Sequence, residues 1–218
     1  MKRDFWLGRW EREEIGFHQD EFHPCLPLHW QELNLARDSV VFVPLCGKSR
    51  DMLWLREQGH QVLGVELSPI AVQAFFNENG YTPQRVTGAR FDSYTANGIR
   101  ILCGDFFDLG KDDLANVGAV YDRAALIALP PEMRERYVSH LAGILPRAPQ
   151  ILLITVDYPQ HEMQGPPFSV TSGEVEQLYR EYAEVRLLAN HDVLAQNPRF
   201  QQRGLSRMRE NIFMLTLR

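Results

Sequence analysis

The sequence predicts an α/β protein built around a parallel sheet, and three features of residues 39–69 indicate this. The apolar, β-branched run VVFV at residues 40–43 is typical of a buried strand. Apolar residues among charges after Lys48 favour a helix, which Gly59 ends. A second apolar run at residues 61–65 predicts another strand, which ends at Glu66. Strand, turn, helix and strand in this order form the first half of a nucleotide-binding sheet.

The turn after the first strand narrows the class of ligand. Ligands of such sheets lie outside the carboxyl ends of the strands, where Glu66 could accept hydrogen bonds from two ribose hydroxyls. A phosphate-binding loop would need a glycine at the position of Phe42, and a dinucleotide fingerprint would need more glycines than Gly47. The turn therefore favours an adenosyl ligand without a pyrophosphate, such as S-adenosylmethionine. An ordinary strand–helix–strand unit without a ligand is the alternative.

Composition is that of an ordinary globular chain, with 218 residues, 44% hydrophobic and 23% charged. This length suits one sizeable core and not two domains. The net charge of −5 disfavours a nucleic-acid or anionic-membrane binder. The longest apolar run, residues 151–156, is too short to span a membrane, and residues 1–6 lack an apolar signal region. The scattered cysteines Cys25, Cys46 and Cys103 predict a reducing, cytoplasmic environment.

Aromatic residues are closely spaced before the first strand. Trp6 and Trp10 are four residues apart and share one face of a predicted helix. This face either packs on the sheet or belongs to a lid whose rings would suit a cationic ligand.

The segment after this helix is rich in potential metal ligands. Their spacing matches no zinc-site pattern, and the prolines Pro24 and Pro27 predict an irregular loop. We therefore predict no metal site at these four residues: His18, His23, Cys25 and His29.

Two further strands are predicted to end in charged residues. The strand at residues 100–103 leads to Asp105, which could accept from an exocyclic amine or simply start a turn, and to Phe106, which could stack on a base. The strand at residues 117–122 leads to Arg123 on the same rim. An arginine cannot act as a base there, but it can bind a carboxylate, stabilise an anion or form a salt bridge.

The remaining elements follow from apolar periodicity and from turn residues. Helices are predicted at 69–79, 131–145 and 174–182, with a strand at 150–158. Residues 81–98 are predicted to be mainly loop with a short strand, and 197–209 a solvated loop. Two last strands, 185–188 and 210–217, are predicted to form an antiparallel edge hairpin.

Five motifs together resemble the bacterial thiopurine S-methyltransferases over nearly the whole chain: FWLGRWEREEIGFHQ, VFVPLCGKSRDMLWL, GVELSPIAV, CGDFFDL and YDRAAL. The chain shares with that family PLCGKS in place of a glycine-rich turn. The resemblance implies a Rossmann-like, mostly parallel sheet of seven strands with helices on both faces. It implies one domain, in which residues 1–38 form a helical lid over the cofactor and 39–218 the core.

The resemblance also implies S-adenosylmethionine as cofactor, S-adenosylhomocysteine as product and a small-molecule thiol as partner of a monomer, without nucleic acid or membrane. Phe17 would border the substrate, and Arg123 and Arg199 would bind it and assist its deprotonation. Alternatives are a selenium, tellurium, oxygen or nitrogen acceptor, or a non-catalytic nucleotide-binding module. Six residues would contact the cofactor or flank its adenine: Trp10, Leu45, Glu66, Asp105, Phe106 and Arg123.

Overall fold

The structure, a computed structural model, describes residues 3–146 and 149–218 and has an α/β fold. Two compact units make up the chain, the first ending at Tyr121 and the second beginning at Asp122. Across the described ranges, no helix combines the length and the apolar character needed to cross a bilayer.

The first unit alternates strands with helices, and its strands lie in the order β3-β4-β5-β2-β1-β6. Its strands are β1 (Val40–Val43), β2 (Gln61–Glu66), β3 (Gln84–Val86), β4 (Asp92–Ala96), β5 (Ile99–Cys103) and β6 (Val117–Asp122). Its helices are α1 (Arg3–Glu11), α2 (Cys25–His29), α3 (Asp51–Glu57) and α4 (Pro69–Glu78).

Parallel pairing places several strand ends at one edge of the first unit. Strand β1 pairs in parallel with β2 and β6, and β2 pairs in parallel with β5. Val41, Val65 and Ile101 are fully buried, as expected for strands covered on both sides. The carboxyl ends of β1, β2 and β5 therefore meet at the same edge, which is where the sequence predicts a ligand.

The predicted bounds of β1, β6 and α4 are largely confirmed. Helix α4 begins at Pro69, and the Oγ of Ser68 accepts a 3.4 Å hydrogen bond from the Ala71 N–H, so Ser68 caps the helix. The helix predicted directly after Lys48 begins later, as α3 at Asp51. The cause is a turn in which the Ser49 N–H donates to the Cys46 carbonyl, while Gly47 has a φ of 52°.

The predicted count of seven strands is wrong, because the described residues form nine. The additional strands are β3 and β4, an antiparallel pair that extends the sheet beyond β5. All three residues of β3 are exposed. This pair has no apolar face of its own at β3, so it lacks the alternation that predicts a strand.

The predicted irregular loop around Pro24 and Pro27 is also wrong, because this segment contains α2. Pro24 precedes the helix and Pro27 lies in its first turn, where backbone N–H groups have no partner within the helix. Proline can therefore occupy this short helix without breaking it.

The second unit has strands in the order β7-β9-β8, namely β7 (Gln150–Asp157), β8 (Ala183–Asp192) and β9 (Arg209–Leu217). Both pairings are antiparallel, which confirms the predicted hairpin of the last two strands. The helices are α5 (Pro131–Ile144), α6 (Ser172–Tyr179) and α7 (Pro198–Gln202). Helix α7 lies in the segment predicted to be only loop; Pro198 starts it, and the buried Phe200 anchors it.

Candidate active site

The turn after β1 has an unusual backbone. Leu45 has a φ of 46° and Gly47 one of 52°, both in the left-handed region that few non-glycine residues adopt. The Cys46 N–H donates a 3.0 Å hydrogen bond to the Val65 carbonyl of β2. Backbone conformations of this kind persist only where surrounding contacts enforce them, and they are frequent at ligand sites.

Gly64 of β2 makes room for this turn. A Cβ atom at position 64 would lie 2.7 Å from Cys46 Sγ, closer than a carbon and a sulfur can approach without a shift. The Cys46 thiol is buried, and burial raises its pKa well above the ordinary value. Gly64 was missed by the sequence reasoning, although a glycine within an apolar strand is a known signal of close approach.

The Glu66 carboxylate joins the turn after β1 to the turn after β2. Its Oε2 accepts a 2.9 Å hydrogen bond from the Gly47 N–H, and its Oε1 accepts a 2.7 Å bond from the Ser68 N–H. The side chain is only 6% exposed. Burial raises the pKa of Glu66, and the hydrogen bonds from Ser68, Gly47 and Leu67 oppose this rise. The carboxylate is thus fixed in position before any ligand arrives.

The end of β5 is tied to the same residue. The Gly104 N–H donates a 2.9 Å hydrogen bond to the Glu66 carbonyl. Asp105 is half-buried and its Oδ1 accepts from the Phe107 N–H at 2.9 Å, so it does start a turn, as the alternative interpretation held. Phe106 is 3% exposed and its ring lies edge-on to Phe107, with centroids 5.3 Å apart.

Aromatic side chains from the N-terminal segment reach this edge of the first unit. Trp10 is 6% exposed, and its ring lies 3.4 Å from where a Cβ of Gly47 would be. The half-buried Phe17 contacts Trp10 and Trp6 edge-on, with centroids 5.8 and 5.6 Å apart. Contacts therefore run from Phe17 through Trp10 and Gly47 to Glu66.

Lys48, which a phosphate-binding loop would direct at its ligand, forms an ion pair. Its Nζ lies 2.7 Å from Glu78 Oε1, at the end of α4. Only 11% of the Lys48 side chain is exposed. This pairing agrees with the rejection of a phosphate-binding loop.

The second unit contains the two predicted catalytic arginines. Arg123 is half-buried directly after β6, and Arg199 is exposed in α7, with its guanidinium carbon 4.6 Å from the centroid of the Phe200 ring. The Phe200 ring belongs to a buried cluster with four other residues: Val156, Tyr158, Leu205 and Met208.

Asp122, next to Arg123, was not singled out from the sequence. It is fully buried, its Oδ2 accepts a 2.7 Å hydrogen bond from the Tyr137 hydroxyl, and its Oδ1 accepts from the Leu126 N–H at 3.2 Å. Burial raises the pKa of Asp122 to about 6, against the opposing effect of these bonds. The residue preceding Arg123 is thus held firmly within the second unit.

Two solved structures with a similar fold are methyltransferases. The N1-methyltransferase of 1,6-didemethyltoxoflavin from Burkholderia thailandensis, solved with S-adenosylhomocysteine, is 18% identical with a TM-score of 0.64, covering 99% of this chain and 86% of that one. An S-adenosylmethionine-dependent methyltransferase from Anabaena variabilis is 14% identical with a TM-score of 0.65, covering 99% and 95%. These similarities show the fold, which is that of S-adenosylmethionine-dependent methyltransferases.

Sequence comparison then gives the family. A model of the family described as thiopurine S-methyltransferase matches residues 1–218. The thiopurine S-methyltransferase of Nitrosospira multiformis is 63% identical over 100% of this chain and 99% of its own length. That of Azotobacter vinelandii is 50% identical over the full length of both. The chain belongs to the thiopurine S-methyltransferase family and is an S-adenosylmethionine-dependent enzyme.

Proposed function

We propose that this enzyme transfers the methyl group of S-adenosylmethionine to the sulfur of an aromatic or heterocyclic thiol such as a thiopurine. The observation that carries the proposal is the Glu66 carboxylate, held by the Gly47 and Ser68 N–H groups at the end of β2. Full-length relatives named thiopurine S-methyltransferase support a thiol as acceptor. One domain would perform the reaction, with residues 1–38 as lid and 39–218 as core.

The residues of the first unit fit an adenosyl group. A carboxylate has about four lone-pair positions, so Glu66, which accepts from the backbone of Gly47, Leu67 and Ser68, can still accept from a ribose hydroxyl. Asp105 uses Oδ1 for its turn, and its Oδ2 would suit the exocyclic amine of adenine. Three further residues of this unit would border the adenosyl group: Trp10, Leu45 and Phe106.

When bound, S-adenosylmethionine supplies an electrophilic methyl group on a sulfonium. The protein's main contribution is to hold the thiol sulfur in line with that methyl group, an effect worth up to about 7–11 kcal/mol. Charge is neutralised as a thiolate meets a sulfonium, so an apolar, water-poor pocket does not hinder the reaction. Phe17 would border the acceptor as part of that pocket.

Arg123 and Arg199 would act on the acceptor as cations, and Arg123 would also contact the cofactor. Arginine stays protonated, so neither residue can remove a proton, but each can stabilise a thiolate. A heteroaromatic thiol is acidic enough that a neighbouring cation and a water to carry off its proton suffice. This predicts that Arg123→Ala slows transfer most for thiols of high pKa and least for acidic ones. An equal loss of rate for all thiols would show that Arg123 does not stabilise the thiolate.

A methyl-transfer screen tests the proposed acceptor class. The purified enzyme and S-adenosylmethionine are incubated with a thiopurine, an aryl thiol, a selenol, a tellurium oxyanion, a phenol or an amine, and products are quantified by mass spectrometry. We expect the highest kcat/KM with the thiopurine or aryl thiol, and equal amounts of S-methyl product and S-adenosylhomocysteine. Preference for another acceptor would overturn the thiol assignment, and cofactor binding without any turnover would indicate a non-catalytic module.

We further propose that the enzyme is a cytoplasmic monomer whose partner is a small molecule. All three cysteines are free thiols, which suits a reducing compartment. Sedimentation equilibrium over a range of concentrations tests the monomer: a mass near 25.2 kDa supports it and twice that mass contradicts it.

A further inference from the structure

The side chain of Arg9 connects helix α1 to the loop that follows it. Its Nε and Nη2 donate hydrogen bonds of 3.1 and 2.9 Å to the same acceptor, the carbonyl oxygen of Glu14. In return, the Glu14 N–H donates a 2.9 Å bond to the Arg9 carbonyl. Arg9 and Glu14 thus close the chain reversal after α1, in which Glu13 has a φ of 55°.

The guanidinium of Arg9 also lies close to two aromatic rings. Its carbon is 5.6 Å from the centroid of the Phe5 ring and 6.0 Å from that of Phe17. At such distances a cation is attracted by the faces of the rings. The charged group of Arg9 therefore contacts the Phe5 and Phe17 rings and the Glu14 carbonyl. The side chains that it holds in place are aromatic.

Phe17 connects Arg9 to the predicted binding site through a series of contacts. Its ring contacts Trp6 and Trp10 edge-on, and Trp10 lies against Gly47, whose N–H binds Glu66. A change at Arg9 would reach Phe17 directly and Glu66 only through Trp10 and Gly47. A substitution of Arg9 should therefore displace Phe17, which is predicted to border the acceptor, more than Glu66, which is predicted to bind ribose.

We propose that Arg9 is a positioning residue that holds the Phe17 ring as an aromatic wall for the acceptor and so favours aromatic over aliphatic thiols. This inference rests on the proposed function. Lysine cannot replace arginine here, because its ammonium lacks the planar fork that donates twice to one carbonyl while stacking on rings. Arg9→Lys keeps the charge and removes this geometry.

Arg12 offers a matched control near the same turn. It also pairs with Glu14, but through the side chain, with Nε 3.1 Å from Oε1. Its own side chain is 61% exposed, and exposed pairs of this kind contribute little. Arg12→Lys thus changes the same residue type beside the same turn without removing the contact to the Phe17 ring.

The experiment compares wild type, Arg9→Lys and Arg12→Lys with an aryl thiol and with 2-mercaptoethanol. For Arg9→Lys we expect KM for the aryl thiol to rise about five- to thirty-fold, as losing about 1–2 kcal/mol implies. We expect a smaller rise for 2-mercaptoethanol, a smaller change in kcat and wild-type behaviour of Arg12→Lys. Equal effects on both thiols, or equal behaviour of the two variants, would overturn the inference.

Two further readouts keep the result interpretable. If the wild-type enzyme methylates no thiol, the proposed function is wrong. If the wild type methylates thiols and Arg9→Lys has the same kinetics, only the proposed role of Arg9 is wrong. The rate of trypsin cleavage after residue 12, measured without substrate, should rise in Arg9→Lys because the Glu14 carbonyl is released. An unchanged rate would contradict the proposed geometry even if activity were lost for another reason.

Discussion

The hydroxyl of Tyr137 donates a 2.7 Å hydrogen bond to the Oδ2 of Asp122, and both side chains are fully buried in the second unit. This bond fixes the residue directly before Arg123, at the end of β6. Tyr179 offers a comparison within the same unit, because its buried hydroxyl has no hydrogen-bond partner among the described residues.

Tyr137→Phe should lower the free energy of unfolding by about 1–3 kcal/mol, because it leaves a buried carboxylate short of one donor. Tyr179→Phe should have a much smaller effect, since it removes a hydroxyl that binds nothing there. Urea unfolding at pH 7 measures both. Equal losses for the two variants would show that the Tyr137–Asp122 bond contributes nothing specific.

Asp122→Asn should reduce the pH dependence of stability. The folded-state pKa of Asp122, about 6, lies above the ordinary value of 3.8, because burial disfavours the charged form. Its contribution to stability is therefore full below about pH 4 and is lost as the pH rises through 6. The loss amounts to about 3 kcal/mol at 1.36 kcal/mol per pKa unit. Asparagine does not titrate, so the variant should gain stability relative to wild type between pH 4 and pH 7.

Urea unfolding at these two pH values tests the Asp122 prediction. A difference between variant and wild type that stays constant with pH would show that Asp122 does not titrate in this window in the folded protein.

Glu66→Gln should weaken binding of S-adenosylmethionine about five- to hundred-fold, because the ribose hydroxyls lose a charged acceptor worth about 1–3 kcal/mol. Titration calorimetry measures the dissociation constant. Exposed Glu57 of α3 is the control, and Glu57→Gln should bind as wild type does. Wild-type affinity of Glu66→Gln would remove Glu66 from the cofactor site.

Gly64→Ala should destabilise the enzyme by about 1–3 kcal/mol through overpacking, since its Cβ would lie 2.7 Å from Cys46 Sγ. Cys46→Ala in the same chain removes the sulfur and should recover a large part of the loss. Thermal unfolding of the single and double variants forms the cycle. Purely additive effects would mean that the Gly64–Cys46 contact is not the cause.

Sequence reasoning reached the strands that are apolar runs bounded by turn residues, such as β1 and β6. It predicted only one short strand where β3 and β4 form, because the fully exposed β3 has no apolar periodicity by which a strand is recognised. It missed α2 because Pro24 and Pro27 break most structures, yet the first turn of a helix tolerates them. The wrong predictions therefore concern residues whose structure depends on their position within an element and not on the local sequence pattern.

The candidate site was also only partly predictable from the sequence. The position of Glu66 at the end of β2 follows from the strand pattern, and it is confirmed. Its hydrogen bond to Gly47, however, depends on the close pairing of two segments that are far apart in the chain. The bond between Asp122 and Tyr137 likewise joins separate segments, and no local sequence pattern encodes it.

A crystal structure of the enzyme with S-adenosylhomocysteine would show whether Glu66 binds the cofactor. We expect the ribose hydroxyls within about 3 Å of the Glu66 carboxylate, at the carboxyl end of β2, with the adenine beside Asp105. A product molecule bound at any other edge of the sheet, with the Glu66 carboxylate bonded only to the backbone of Gly47, Leu67 and Ser68, would contradict this.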